Sequence, residues 1–586
     1  MLKRNEKLIK SKLWQYLIPS IMTNMALQIG NVVDTILVGN ILGAKAMSAV
    51  QIGGTIMLLI QIPGYMLGIG GSIMAGNRLG KRDVKGASNV FSASLLTSLI
   101  AGIILMALAF FSAPISAFLT GGQGALTKDV TDVVRVSFLG TPILSAGLVM
   151  INFMAVDNNP SLSTVYVVTS NVLNLLADYF LLKYTKIGPA GSSLSTFIGY
   201  GVALIVVILY VRSSKRMLSL RISFEGLKDA FITGVPAMLS IVCEMIRNSV
   251  MNIMILRLIG DDAVAIYTIC LNLVMVCELF LGGIIEAMNM IGGVVYGEKD
   301  YFGLRSLSKY ILRYSYTVLF VLTIILVAFT RQSAAMFGVT DASLLDASVP
   351  ALRLFLIALP GYVFNRFFIA YYQTTEKTVY SNLITILQFC GVLLPAVFAF
   401  VKIAIALGLN TLNAAMLGMA AGEVFTAIIM VIVVNITNKR AGLLCIPKDV
   451  NEDVLDMSVS PDAKEASRVP REIIAFCKDK IDSTPATQIA IAAEEMAVNA
   501  ITYGGNSLSS IDVMLCITDD SVLLRLRDNG IPFDPTNYEY DDKNYEYSGI
   551  ELVRRITNRI TYLRTLDFNN TTLEIDRENL KAEAQA

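Results

Sequence analysis

The chain has 586 residues, of which 54% are hydrophobic and 16% charged, and its formal net charge is +1. Soluble proteins carry roughly 25% charged residues, so this composition excludes a protein that is water-soluble throughout its length. Histidine is absent, which excludes Ser-His-Asp catalysis, zinc sites built on histidine and a histidine phosphoacceptor in this chain.

The near-neutral total conceals two regions of different composition. Residues 1–440 carry 52 charged side chains and a net charge of +12. Residues 441–586 carry 41 charged side chains and a net charge of −11. The first region therefore has the composition of a membrane protein, and the second has that of a soluble domain.

Within the first region, apolar stretches alternate with short polar breaks from about residue 13 to residue 437. A bilayer core requires about 20 helical residues per crossing, so the pattern predicts an α-helical membrane protein with twelve transmembrane helices. The predicted helices start near residues 13, 46, 88, 126, 161, 188, 225, 262, 305, 343, 378 and 409.

Lysine and arginine cluster in four polar segments, at residues 3–12, 78–85, 212–221 and 439–440. With twelve helices, all four clusters fall on one side of the membrane, and the positive-inside rule places that side in the cytoplasm. We therefore expect a multi-pass protein of the plasma membrane whose two termini and soluble domain are cytoplasmic.

The membrane region repeats itself at an offset of 217 residues. The matching pairs are Pro19 with Pro236, Asn31 with Asn248, Gly43 with Gly260, Asp83 with Asp300 and, after one inserted residue, Pro142 with Pro360. The repeat predicts two six-helix halves of the same orientation, residues 1–222 and 223–437. Transport sites in such proteins lie between or within the halves.

Four polar side chains in the first half are candidates for a cation site. Asp34 lies in helix one and Thr196 in helix six, and Asn174 and Asp178 lie four residues apart on one face of helix five. A charged group in the hydrocarbon zone costs about 2.5–3.5 kcal/mol on insertion scales, so such groups are functional candidates. Their oxygens suit Na+, or a proton shared by two carboxylates. The alternative is that the carboxylates only hydrogen-bond neighbouring helices.

The second half also contains acidic side chains. Glu244 in helix seven is three residues from Arg247, and these two groups either pair with one another or contribute to a substrate or cation site. Glu278 and Glu286 lie in helix eight, and Glu423 lies in helix twelve. We expect Glu286 and Glu423 near helix interfaces.

Residues 13–437 resemble the MATE (multidrug and toxic compound extrusion) family, in particular its MepA-like prokaryotic branch. The resemblance is carried by the segments VVDTILVGNILGAKAMSAV, GIGGSIMAGNRLGKRD, DNNPSLS, NVLNLLADYFLL and GGVVYGEKD. It implies export of small, cationic, amphipathic organic compounds in exchange for Na+ or H+. It also implies that the four first-half side chains form a cation site and that Glu244 contributes in the second half. The acid that some relatives have in helix ten is absent, and Arg353 and Arg366 occur there instead.

The soluble region begins with residues 438–466, which are rich in Asp, Glu, Ser and Pro and are predicted to form a linker. Residues 467–580 are predicted to form an α+β sandwich. Its main helix is expected in TQIAIAAEEMAVNAITYGG, followed by two alternating strands joined at Asp519-Asp520. A last hairpin is predicted to turn at Asn569-Asn570.

This domain resembles the GHKL (histidine-kinase-like) ATPases, most closely the anti-sigma-factor serine kinases. The motifs EEMAVNAITYGG, DNGIPFDP and YSGIELVRRI carry the resemblance, in the family's order. In the first motif, the resemblance implies that Glu495 is the general base and that Asn499 holds Mg2+ against the phosphates of ATP. In the second, Asp528 receives the adenine amino group and Gly530 allows close approach. In the third, Gly549 begins the helix that covers the phosphates.

The combined expectation is a cation-coupled multidrug antiporter with a cytoplasmic ATP-binding regulatory domain and no nucleic-acid partner. One motif departs from the family, because Glu551 stands where relatives usually have a second glycine. Two alternatives remain open. The first is a membrane-tethered signalling protein, in which the transporter-like part senses a ligand and the tail acts on a cytoplasmic protein as a serine kinase or anti-sigma-like regulator. The second is a lipid flippase.

Overall fold

The computed structural model describes residues 3–120, 124–213, 216–336, 342–438, 442–446, 454–478, 480–518, 521–537 and 548–576. The chain divides into two compact units. Gln15–Thr437 forms the membrane unit, and Met1–Trp14 together with Asn438–Ala586 forms the tail unit.

The membrane unit is helical. Its helices, with α1 beginning in the tail unit, are α1 (Lys7–Leu42), α2 (Ala44–Gly80), α3 (Val84–Met106), α4 (Ser112–Thr120), α5 (Gly124–Val156), α6 (Pro160–Tyr184), α7 (Ala190–Val211), α8 (Leu227–Leu258), α9 (Asp261–Gly297), α10 (Tyr301–Ala328), α11 (Thr330–Met336), α12 (Ala342–Phe355), α13 (Leu359–Thr374), α14 (Thr378–Ile386), α15 (Leu393–Leu407) and α16 (Thr411–Thr437). Among the described residues, eleven helical spans are long and apolar enough to cross a membrane, with mean hydropathies of 1.4 to 2.4. Helix α1, with 36 residues, is the twelfth long helix of the series. The prediction of an α-helical membrane protein is thereby confirmed, with eleven such spans among the described residues where the sequence predicts twelve.

Equivalent capping turns occur in both halves and confirm the internal repeat. Asp83 accepts a hydrogen bond from the amide three residues later at 2.7 Å and caps α3. Asp300, 217 residues further on, caps α10 in the same way at 2.8 Å. Gly43 and Gly260 precede α2 and α9 with φ of 87° and 128°, values that side chains rarely adopt.

Close helix packing at glycines joins the two halves. A Cβ added to Gly70 of α2 would lie 2.3 Å from the carbonyl oxygen of Ala230 in α8. A Cβ added to Gly297 of α9 would lie 2.0 Å from the carbonyl oxygen of Asn77 in α2. Because neither position has room for a side chain, the backbones approach closely, as small residues permit in membrane bundles.

The tail is an α+β domain whose helices pack on an antiparallel sheet of order β1-β2-β3-β5-β4. Its elements are β1 (Val454–Val459), α17 (Ala463–Ala466), α18 (Val469–Cys477), α19 (Ser483–Tyr503), β2 (Ile511–Ile517), β3 (Ser521–Asp528), α20 (Ser548–Ile556), β4 (Arg559–Thr565) and β5 (Phe568–Asp576). Apolar side chains of α18, α19 and the strands form one core. The predicted α+β sandwich is confirmed.

Two local predictions in the tail differ from the structure. The predicted linker, 438–466, contains β1, because alternate residues of VLDMSV are buried against the helices while the strand pairs with β2. The last hairpin turns at Leu566 and Asp567, whose φ values are 52° and 55°, so the predicted Asn569-Asn570 turn is wrong. The two asparagines lie within β5, where their amides form buried hydrogen bonds. The predicted Asp519-Asp520 turn lies outside the described residues.

The N-terminal segment belongs to the tail unit. The guanidinium of Arg4, 4% exposed, lies 2.9 Å from Asp456 and 3.2 Å from Asp512 on β1 and β2. The backbone amide of Asn5 donates to the hydroxyl of Ser458 at 2.9 Å. Leu8, three residues further along the chain, is also buried, with 1% of its surface exposed. The segment is therefore an integral part of the folded tail.

We expect Arg4→Ala to loosen the tail, because the buried carboxylate of Asp512 and the partly buried carboxylate of Asp456 would lose the guanidinium beside them. Breaking a buried ion pair costs about 3–5 kcal/mol, so amides of β1 and β2 in the full-length protein should exchange with deuterium at least about 100-fold faster. The matched control is Lys7→Ala, which removes an exposed cation from the same segment. Unchanged exchange in Arg4→Ala would contradict the importance of this pair.

Candidate functional site

The first-half candidates of α1, α6 and α7 lie together. The hydroxyl of Ser192 donates to the carboxylate of Asp34 and is 3.0 Å from both of its oxygens. The hydroxyl of Ser195 donates to Oδ1 of Asp178 at 2.5 Å. The two carboxyl groups also interact with one another.

Amide and hydroxyl groups complete this pocket. Nδ2 of Asn174 donates to the hydroxyls of Ser195 at 3.0 Å and Thr196 at 3.3 Å. Thr196 donates in turn to the carbonyl of Ser192 at 3.1 Å. The structure therefore brings together all four side chains that the sequence singled out in the first half.

One oxygen of this pocket has no hydrogen-bond donor. Asp178 is 0% exposed, and its Oδ2 is buried without a partner among the described residues. Two neighbouring carboxylates repel one another unless a proton or a cation lies between them. The pocket is thus one positive charge short.

Ser192 and Ser195 were missed as site residues. Both occur in GSSLST at the start of α7, where positions 192, 195 and 196 are three and four residues apart and share one face. This spacing is the feature of the sequence that indicates the two serines as site residues. The polar face of α7, rather than Thr196 alone, supplies the hydroxyls of the pocket.

A cavity of about 660 Å³ lies between the two halves of the membrane unit. Six carboxylate and guanidinium side chains line it: Glu244, Arg247, Glu278, Glu286, Arg366 and Glu423. Four are acidic and two are basic, so the ionised lining has an excess of negative charge. Methionine and aromatic side chains supply apolar wall, among them Met245, Met419 and Phe389. Thioether side chains adapt to ligands of different shape.

Glu244 faces the cavity as one member of an ion pair. Its Oε1 lies 3.1 Å from Nη2 of Arg247, and its side chain is 53% exposed. The pairing alternative considered from the sequence is therefore the arrangement observed. In α13, Nε of Arg366 lies 3.4 Å from Oε1 of Glu278. The same carboxylate accepts a hydrogen bond from the hydroxyl of Tyr362.

In the tail, Asp528 stands at the end of β3 and is largely buried. Its Oδ1 accepts hydrogen bonds from the amide of Gly530 and from Nδ2 of Asn569, both at 2.8 Å. Burial raises the pKa of Asp528, and these bonds and the charge of Arg564 oppose that rise. Because both bonds end on Oδ1, Oδ2 is available to an incoming amino group.

The side chains expected near the phosphates meet at α19 and α20. A Cβ added to Gly549 would lie 2.0 Å from Oε2 of Glu495, so a larger residue at the start of α20 would require this carboxylate to move. Nδ2 of Asn499 is buried without a hydrogen-bond partner among the described residues. The orphaned Nδ2 is a donor that suits a phosphate oxygen near a helix N-terminus, whereas Oδ1 of the same amide is the atom that could ligate Mg2+.

Glu551 of α20 does not present an unbalanced charge. Its Oε1 lies 2.6 Å from Nη2 of Arg555, one helical turn later. Arg554 donates to the carbonyls of Pro535 and Thr536 at 3.0 and 3.1 Å. The carboxylate that replaces the second glycine is therefore partly neutralised.

The chain matches two protein families. The model described as MatE matches residues 19–180 and 236–401, which together exceed half of the chain. The two matches begin 217 residues apart, which is the offset of the repeat. The model described as histidine kinase-like ATPase domain matches residues 459–575.

Two of three curated bacterial relatives are named as multidrug export or multidrug resistance proteins. Multidrug export protein MepA of Staphylococcus saprophyticus is 25% identical over 276 residues, which are 46% of this chain and 61% of MepA. DNA damage-inducible protein F of Escherichia coli is 22% identical over 297 residues, 49% of this chain and 64% of that protein. The probable multidrug resistance protein YoeA of Bacillus subtilis is 22% identical over 415 residues, 67% of this chain and 88% of YoeA. The chain thus spans about three fifths of the length of the first of these relatives.

Solved structures share the fold of the membrane unit. A multidrug resistance MATE family transporter in an outward-facing conformation has a TM-score of 0.68 at 21% identity, covering 73% of this chain and 96% of that one. A MOP superfamily transporter from Pyrococcus furiosus has a TM-score of 0.67 at 21% identity with the same coverage.

We expect Ser195→Ala to destabilise the membrane unit, because the buried carboxylate of Asp178 would lose its donor. An unsatisfied buried group costs about 1–3 kcal/mol, more when it is charged. Thermal unfolding of the full-length protein, followed with a dye that reacts with newly exposed buried cysteines, should show a lower midpoint. Ser193→Ala is the matched control, since Ser193 only accepts a 3.3 Å hydrogen bond from Ser137. Equal midpoints for both variants would contradict the assignment.

Proposed function

Because the chain belongs to the MatE family, we propose that it is a secondary antiporter that exports cationic, amphipathic organic compounds in exchange for Na+ or H+. The observation that carries the proposal is the pocket of Asp34 and Asp178, which is one positive charge short and has an unpartnered buried oxygen. A monovalent cation or a proton supplies that charge. Removing the cation or proton restores the repulsion between the two carboxylates, so occupancy of the pocket can be linked to a change of conformation.

The concentration gradient of the ion can drive such an exchange. A cation entering the cell gains about 2.3 kcal/mol per charge per 100 mV and a monovalent cationic substrate leaving it loses the same amount, so a one-for-one exchange is electroneutral. A tenfold gradient of the ion, about 1.4 kcal/mol, then balances a tenfold gradient of the substrate. No nucleotide is needed for this step. The coupling pocket and the central cavity have different lining residues, so ion and substrate occupy different sites in this proposal.

The lining of the cavity supports a cationic, amphipathic substrate. Each arginine of the lining is already paired with a glutamate, Arg247 with Glu244 and Arg366 with Glu278. The remaining acids, Glu286 and Glu423, have no arginine of their own and leave the cavity acidic. An organic cation with an apolar body would match both the excess charge and the methionine-rich wall.

The fold of the tail unit supports the proposed topology. Residues 3–14 pack in the same folded unit as the C-terminal domain. Segments of one folded unit lie on the same side of a bilayer, so the intervening chain crosses an even number of times. With the loop charges, this supports a cytoplasmic position for both termini.

We expect Asp178→Asn to abolish cation-driven efflux. The amide cannot be ionised, so the pocket no longer needs a cation, and the rate should fall at least about tenfold, or 1.4 kcal/mol. The measurement is efflux of a fluorescent cationic dye from cells that express wild-type or variant protein at matched levels. The control is Asp132→Asn, which removes a half-exposed ion pair with Arg135. Undiminished efflux in Asp178→Asn would contradict the proposed coupling site.

For the tail, we propose that it binds Mg2+-ATP and regulates transport. Asp528 and Gly530 would hold the adenine, Asn499 would hold Mg2+ through its amide oxygen, and Glu495 would orient or deprotonate a nucleophile. The bound nucleotide would supply a phosphoryl group if a substrate hydroxyl were presented. The alternative, a signalling protein, shares this nucleotide site but predicts no flux through the membrane unit.

A path from the adenine site to the N-terminal segment supports the regulatory role. Asn569 donates to Asp528 and follows Phe568 directly. The ammonium group of Lys12, 5% exposed, lies 5.0 Å from the ring of Phe568 and 3.7 Å from Asp567. Lys12 belongs to α1, the helix that also carries Asp34. Nucleotide binding at Asp528 can therefore act on the start of this helix through the turn between β4 and β5.

We expect Asp528→Asn to weaken binding of a fluorescent ATP analogue to the full-length protein at least about tenfold. The reason is that a hydrogen bond to a charged acceptor is worth about 1.5–3 kcal/mol. Asp534→Asn, in a surface turn where Thr536 and Asn537 satisfy the carboxylate, is the control. Lys12→Met should retain ATP binding but lose the dependence of dye efflux on ATP. Efflux that depends on ATP equally in wild type and Lys12→Met would contradict the proposed path.

A further inference from the structure

A second buried carboxylate lies on the opposite half of the membrane unit. Glu423 of α16 is 4% exposed and lines the central cavity. Its Oε2 accepts from Nδ2 of Asn365 at 2.8 Å and from Nε2 of Gln388 at 3.1 Å. Both partners are 0% exposed and both are neutral.

Glycines hold this cluster together. A Cβ added to Gly361 of α13 would lie 3.0 Å from the backbone of Glu423, and one on Gly422 would lie 2.7 Å from Cα of Leu393 in α15. The helices on both sides therefore approach α16 at the level of Glu423. This close approach fixes the carboxylate between the two amides rather than leaving it to water.

Two oxygen atoms of the cluster lack a hydrogen-bond donor. Oδ1 of Asn365 and Oε1 of Gln388 are buried without partners among the described residues. Each unpaired buried acceptor costs about 1–3 kcal/mol. A proton bound to Oε1 of Glu423 would make that oxygen a donor, and rotation of the Gln388 amide would bring its Oε1 into position to accept. Protonation thus removes a buried charge and satisfies one orphaned acceptor.

The charged groups around Glu423 do not neutralise its carboxylate by direct pairing. Arg247 of α8 and Arg366 of α13 are the charged neighbours that act on it. Their ion pairs are with Glu244 and Glu278 instead. The remaining cations on packed helices, Arg353 of α12 and Lys402 of α15, are exposed.

The orientation of the amides favours a proton over a metal ion. Cations such as Na+ bind oxygen atoms, but both amides turn their nitrogens towards Glu423. A metal ion would require both amides to rotate. A proton requires rotation of Gln388 alone.

Gln388 stands in an irregular part of its helix. Leu387–Gly391 form a π-helical turn between α14 and α15, closed by the amide of Val392, which donates to the carbonyl of Leu387 at 2.9 Å. Such turns are frequent at functional sites and differ from an α-helix by one hydrogen-bond register. Gln388, which donates to Glu423, therefore belongs to a backbone segment that could adopt either the π-helical or the α-helical hydrogen-bond register.

We propose that Glu423, with Asn365 and Gln388, is a proton-binding site of the second half that sets the hydrogen bonding of the π-helical turn beside the cavity. The site deepens the proposed transport function, because Glu423 lines the substrate cavity. It is separate from the pocket of Asp34 and Asp178, and its test does not require transport.

The test is pH-difference infrared spectroscopy of the full-length protein, following the C=O stretch of protonated carboxylic acids. Wild type should show a band that titrates with pH and is insensitive to added Na+. The band should be absent in Glu423→Gln and present in Glu286→Gln, the matched control on the same cavity. Gln388→Met should shift its titration midpoint, since one donor to the carboxylate is lost.

The proposal is overturned if the band is unchanged in Glu423→Gln. It is also overturned if Na+ removes the band at constant pH in both wild type and Glu286→Gln. If Glu423→Gln does not fold, Glu423→Asp replaces it: a shifted midpoint supports the site and an unchanged midpoint overturns it. Absence of dye efflux in wild type with a Glu423-dependent band would refute the transport proposal and leave the proton site standing.

Discussion

The repulsion between two carboxylates inside the helix bundle is the constraint on which the membrane unit depends. Asp34 and Asp178 come from helices that are far apart in sequence, and serine hydroxyls satisfy only part of their acceptor capacity. In a low-dielectric environment the remaining charge must be balanced by a cation or a proton. Binding and release of that cation are therefore linked to how these helices pack. The exchange of an ion for a substrate that we propose would follow from the same linkage.

The two halves use one scaffold for different chemistry. The capping aspartates and the glycines before α2 and α9 are retained at the repeat offset. The buried acids are not, since the first half places its carboxylates on α1 and α6 and the second places Glu423 on α16. Helix α13 carries Arg366 in a pair with Glu278, so the positive charge of this arginine is balanced within the cavity lining. Repeat symmetry thus positions the backbone, and local substitutions decide what each half binds.

Much of this arrangement could be predicted from the sequence, because apolar length and repeated turn residues are strong local signals. The grouping of Asp34 with Asp178 followed from a family resemblance and from helical spacing. Ser192 and Ser195 escaped notice, since serine in an apolar helix is common and only packing shows which hydroxyls face a carboxylate. The Asn569-Asn570 turn was wrong because asparagine favours turns locally, whereas here its amides bond Asp528 and Arg527 inside the sheet. The docking of Arg4 could not be foreseen, because it joins residues more than 450 positions apart.

Reversal of an imposed ion gradient tests the central claim most directly. Purified full-length protein in liposomes, without ATP, would be given first an inward and then an outward gradient of Na+ or H+, and movement of a cationic dye would be followed. The account predicts that, for at least one of the two ions, the dye moves against the ion and changes direction when the gradient is reversed. Dye movement that ignores the direction of both gradients, or that occurs only with ATP, would contradict it.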